Sequence, residues 1–106
     1  RAYYLSREEL AEADEITLDL AEEVSFLNKA AIKKTLKNIR PGSKVTINAE
    51  NSSYIASDVL ELIEDFSNVY AKENDIEVVL KGFKSDYHDA ERDRHSHVKV
   101  GHSASI

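Results

Sequence analysis

The chain has 106 residues, 42% of them apolar and 32% charged, with 20 acidic against 14 basic side chains for a net charge of −6. That size suits one domain with one hydrophobic core, and that charge argues against a nucleic-acid binder, which would carry a basic face or a high isoelectric point. The absence of cysteine excludes disulfide scaffolds, thiolate metal sites and cysteine nucleophiles.

The chain begins at Arg1 without a methionine, as an excised piece would, and shows no signal-peptide pattern. No apolar run approaches the ~18 residues needed to cross a bilayer. Residues 2–5, AYYL, can form a short strand, and the acidic SREELAEADE that follows reads as a connection or a turn of helix. In EITLDL, residues 15–20, Ile16, Leu18 and Leu20 alternate with Thr17 and Asp19, the period of a half-buried strand.

NKAAIKKTLKNIR, residues 28–40, sets Ile32, Leu36 and Ile39 at helical spacing with Ala31 beside them. Ser25 or Asn28 is placed to accept a first-turn N–H, and Pro41-Gly42 stops the helix. A second alternating strand follows in KVTINAE, residues 44–50, through Val45, Ile47 and Ala49. The next helix is expected over 58–73, with Val59, Ile63, Phe66 and Tyr70 on one stripe, Leu62 and Val69 flanking it, and Glu61, Glu64 and Asp65 outside. IEVVLKGF, residues 76–83, is rich in β-branched residues and broken at Gly82, as a third strand. Strand, helix, strand, helix, strand at these spacings predicts an α/β domain built from βαβ crossovers onto a parallel sheet. The domain is expected to span residues 1–84, and the polar stretch 85–106 to be a partly disordered tail.

Lys29, Lys33 and Lys37 recur every four residues with Lys34 and Arg40 close by, and residues 28–40 hold no acid. These five side chains form a basic stripe, and without them the remaining residues carry eleven more acids than bases. Such asymmetry can steer an acidic partner or an anionic surface toward the helix, although a solvated helix face is the plainer reading. Asp58 followed three residues later by Glu61 fits a capping box opening the second helix. His88, His95, His97 and His102 with Asp89, Glu91 and Asp93 are of types that suit zinc or nickel. Nothing in a polar tail fixes their geometry, and no metal site is expected. The tyrosines, Tyr3, Tyr4, Tyr54, Tyr70 and Tyr87, read as core edges with wet hydroxyls. Three glycines at 42, 82 and 101 allow no phosphate-cradling loop, and no nucleophile stands beside a base. Neither catalysis nor a cofactor is expected.

EEVSFLNKAAIKKTLKNIRPGSKVTINAENSSYI and DVLELIEDFSNVYAKENDIEVVLKGF together resemble the STAS domain of sulfate transporters and anti-sigma factor antagonists. Over about residues 14–84 the chain is most similar to the cytoplasmic C-terminal STAS domain of bacterial SulP-family anion transporters, in which a segment like VSFLNKA opens the first helix. The resemblance implies a mixed, mainly parallel sheet with helices packed mainly on one side. It also implies a non-catalytic regulatory and interaction domain beneath a membrane transport domain of the same chain, which moves sulfate, bicarbonate or dicarboxylate. The domain would then face the cytoplasm at the inner, or plasma, membrane. Partners implied are that transport domain, an acidic protein such as acyl carrier protein, a nucleotide, and a second copy through the full-length transporter.

In the antagonists a stretch close to DSSGL precedes the second helix, and one of its serines takes a regulatory phosphate. Here the stretch falls on Ala56, Ser57, Asp58, Val59 and Leu60, so an aspartate stands at the second serine position. By the resemblance, Ser57 and Asp58 mark the regulatory position, with the carboxylate holding permanently a charge the antagonists add and remove. Ser52, Ser53 and Ser57 remain candidate phosphoacceptors. The alternative reading is a free-standing antagonist-like signalling protein.

Overall fold

A computed structural model describes residues 12–87. The strand expected at 2–5, most of the acidic connection, Tyr3, Tyr4, the histidine and carboxylate group from His88 to His102, and the tail from residue 88 onward lie outside the described residues. Strand β1 is Glu15–Asp19, β2 Glu23–Val24, helix α1 Lys29–Lys37, β3 Lys44–Asn48, β4 Tyr54–Ile55, α2 Ser57–Asp65, α3 Ala71–Glu73 and β5 Glu77–Lys81. A 3₁₀ turn, Phe26–Asn28, precedes α1, and a π turn, Phe66–Tyr70, joins α2 to α3. The molecule is mixed α/β.

β3 lies between β1 and β5, and every described pairing is parallel. The register aligns Ile16 with Val45 and Val78, and Leu18 with Ile47 and Leu80. Because alternate side chains leave opposite faces of a strand, these residues share one face of the sheet. Ile16, Leu18, Val45 and Ile47 are buried in one cluster with Leu36 and Ile39 after β1, and Val59, Ile63 and Phe66 from the second helical segment. The opposite face presents Glu15, Thr17 and Asp19 from β1, all exposed, and Thr46 from β3, half-buried. Burying one face and hydrating the other is what the alternating pattern in EITLD and KVTIN encodes.

The second helix does not run as a uniform α-helix. In the π turn the Ala71 N–H bonds to the Phe66 carbonyl, five residues back. The extra residue shifts the apolar stripe by one position. Hence Ala71, 1% exposed, follows Phe66 into the core, Tyr70 is only half-buried, and Val69, expected to flank the stripe, is 53% exposed. The segment ends in a Schellman motif: the Ile76 N–H bonds to the Ala71 carbonyl at 2.8 Å, with Asp75 at φ 57°.

α1 is also shorter than its periodicity suggests. It stops at Lys37, before Pro41-Gly42, because the Asn38 side chain donates to the Lys34 carbonyl at 2.9 Å and the Ile39 N–H to the Leu36 carbonyl at 3.3 Å. This tightened end turns Ile39, 2% exposed, into the core. After β5 the chain makes a close approach at Gly82, φ 77°, where a Cβ would lie 2.8 Å from the Glu50 Cα and 2.7 Å from its N. Only glycine fits there.

Candidate functional site

β2 and β4, two residues each, are too short to read from periodicity, yet they bring the two helix starts together. Ser53 and Tyr54 N–H groups both bond to the Glu22 carbonyl, at 2.7 and 3.3 Å, and the Ala56 N–H to the Val24 carbonyl at 2.8 Å. The buried Ser52 hydroxyl donates to the Ala21 carbonyl at 2.6 Å. With these strands zipped, the Phe26–Asn28 turn packs beside the start of α2.

α2 begins at Ser57, and its N-cap residue is Ala56, in extended conformation and with no side chain able to accept a hydrogen bond. This corrects the capping box expected from Asp58 and Glu61. Asp58 is already inside the first turn, so its carboxylate acts on the positive end of the helix dipole rather than as a cap, a contribution of about 0.3–1 kcal/mol. The Ala56 carbonyl accepts from the Val59 and Leu60 N–H groups, both at 3.0 Å. Ser57 and Asp58 are half-buried. Of the candidate phosphoacceptors, Ser52 is 1% exposed and tied to Ala21, so a kinase would reach it only after local opening. Ser53 is exposed, and its hydroxyl donates to the Glu22 carbonyl at 3.2 Å.

At the start of α1 the expected choice of cap, Ser25 or Asn28, resolves into a division of labour. Ser25 Oγ accepts from the Leu27 N–H at 3.2 Å, while Asn28 Oδ1 accepts from the Ser25 N–H at 2.9 Å. The pair forms a capping box around the 3₁₀ turn. Asn28 occupies the N-cap position of α1 without a side-chain bond to it.

Lys29, Lys33, Lys34 and Lys37 are all exposed, and none of them is ion-paired with a described residue. Arg40 is different. Its guanidinium bonds to Asp14 at 2.7 Å and reaches the Glu12 carbonyl at 3.4 Å, which ties the segment after α1 to the approach to β1. Among the described residues, the stripe without ion-pair partners is therefore one of four exposed lysines, with Arg40 a structural clasp at its far end.

Two residues of this corner had no functional reading in the sequence. Phe26 is 65% and Leu27 77% exposed, although both are large and apolar. Ala30 and Ala31, on the next turn, are exposed too. The only available signal was the mismatch between two adjacent apolar residues and a helix whose buried stripe begins at Ile32. Tyr70 and Tyr87 behave as core edges: the Tyr70 hydroxyl lies 3.5 Å from the Lys37 carbonyl, and the Tyr87 hydroxyl accepts from the Lys84 N–H at 2.9 Å. Tyr87 packs against the core from beyond position 84. Tyr54 is buried, 8% exposed.

No cluster of three or more histidines, cysteines or carboxylates able to hold a metal occurs among the described residues. Among them, too, no helix is long and apolar enough to cross a membrane. No family model, no curated protein and no solved structure matches the chain.

Proposed function

We propose that the chain is a STAS-like, non-catalytic regulatory domain of a SulP-type transporter of sulfate, bicarbonate or dicarboxylate. In this reading it is attached on the cytoplasmic side of a membrane transport domain of the same chain. One observation carries the proposal: a parallel β1-β3-β5 sheet with α1 and α2 in its crossovers, in which α2 opens at the half-exposed Ser57-Asp58 pair and contacts the Phe26–Asn28 turn that leads into α1. A charge held at that position offers a docked domain a fixed electrostatic mark. Asp58 supplies it without a kinase.

The test is the complete reading frame that encodes these residues. Spans of about 20 apolar residues each are expected upstream of Arg1, and anion uptake by the expressed protein should change when Asp58 is replaced by Asn. A start codon close to Arg1, with binding to an anti-sigma kinase, would replace this reading with that of a free-standing antagonist.

A further inference from the structure

The exposed apolar pair and the exposed lysines are neighbours on one continuous ridge. Phe26, Lys29, Lys33 and Lys37 follow one another at three- and four-residue steps through the 3₁₀ turn and α1, which places them on one side of the helical path. The capping box of Ser25 and Asn28 fixes the turn that presents Phe26 and Leu27, so the two side chains are held out rather than left to collapse. Burial would be expected for side chains of this kind. Stability does not account for the lysines either, because like charges four residues apart repel and cations are disfavoured at a helix N-terminus.

We infer that this ridge docks the protein on an anionic lipid bilayer, with Phe26 and Leu27 inserted at the interface and Lys29, Lys33 and Lys37 on lipid phosphates. The proposal stands apart from the transporter reading, since it needs only the 106-residue chain. Charge complementarity selects the occupant. The segment from Val24 to Arg40 contains five basic residues and no acid, so two copies joined through it face to face would repel. The surface is a convex helix edge with two large apolar side chains at its tip, suited to the boundary between acyl chains and headgroups. The acidic remainder of the molecule would be repelled by the same membrane, which orients the lysine edge toward it.

The chain contains no tryptophan, and Phe26→Trp therefore places a single indole at the proposed point of insertion. Mixed with vesicles of phosphatidylcholine and phosphatidylglycerol, this variant should show a blue-shifted emission and should co-sediment. Pure phosphatidylcholine should produce neither effect, and added salt should reverse both. Replacing Lys29, Lys33 and Lys37 by glutamine should reduce partitioning by about fivefold for each lysine lost, and Phe26→Ser with Leu27→Ser by about a hundredfold. All these positions are exposed, and an unchanged circular dichroism spectrum certifies that the variants fold. The proposal is overturned if anionic vesicles leave the emission unshifted, if the serine variant partitions like the parent, or if a soluble acidic protein competes the vesicles away from the ridge. None of these results would bear on whether a transport domain lies upstream.

Discussion

The two ends of α1 use apolar residues in opposite ways. At the C-terminal end Leu36 and Ile39, each 2% exposed, lie in the core, while at the N-terminal end Phe26 and Leu27 stand 65% and 77% exposed. Charge does not follow that division: Arg40, past the C-terminal end, is clasped to Asp14, whereas Lys29, Lys33, Lys34 and Lys37 along the whole helix have no ion-pair partner among the described residues. One end converts apolar area into folding stability, and the other keeps it in water. A helix so divided is anchored at one end and displayed at the other.

Breaking the anchored end should produce the largest effect. Leu36→Ala removes a side chain from a packed cluster and leaves a cavity, at a cost of about 3 kcal/mol. In thermal unfolding followed by circular dichroism, the midpoint should fall by more than about 10 °C. A loss below about 1 kcal/mol would mean that α1 is not anchored where its buried residues place it.

Charge at the displayed end should act with the opposite sign. Lys29 opens α1 without an acid in the first turn, whereas α2 carries Asp58 in its first turn, so the two helix starts differ in their fit to the dipole. Lys29→Glu turns an unfavourable dipole contact and a repulsive pair with Lys33 into favourable ones. It should raise stability by about 1 kcal/mol in urea denaturation at low salt, less at high salt. Asp58→Asn is the mirror experiment, with an expected loss of about 0.5 kcal/mol that is likewise screened by salt. If both variants were neutral, the charges would be too well solvated to matter, and the contrast between the two helix starts would vanish.

The same contrast sets what could be read from the residues alone. β1 and β3 were legible because strict alternation of Ile16 and Leu18, and of Val45 and Ile47, has one physical solution, a sheet with one buried face. The lysine stripe was legible at its four-residue spacing. The pairing of β2 with β4 was not, because two residues carry no period and their positions depend on bonds from Ser53 and Ala56 to a segment about thirty residues earlier. The π turn was equally hidden. Its shift of the buried position from Tyr70 to Ala71 follows from packing against the sheet, which no local propensity encodes. Phe26 and Leu27 were hidden for a different reason: large apolar residues are usually core, and only the direction in which the turn holds them shows that these two stand in water. Asp58 looked like a cap because Asp is a good one, and the structure starts the helix two residues too early for it to serve, with Ala56 in the cap position.

The smallest expected effect is the most discriminating. Phe26→Ser with Leu27→Ser changes two large apolar residues, and by composition alone should cost several kcal/mol, about as much as emptying part of the core. From their exposure the cost should lie within about 0.5 kcal/mol, since surface substitutions away from caps, cavities and networks are close to neutral. The capping box is made by Ser25 and Asn28 and would survive the change. A stability loss above about 1 kcal/mol would show that the pair is structural, packed in solution against something beyond residues 12–87, and the displayed end would lose its meaning. A neutral result leaves two exposed hydrophobic side chains that folding does not require, held by a turn that it builds, in position to meet a surface outside the molecule.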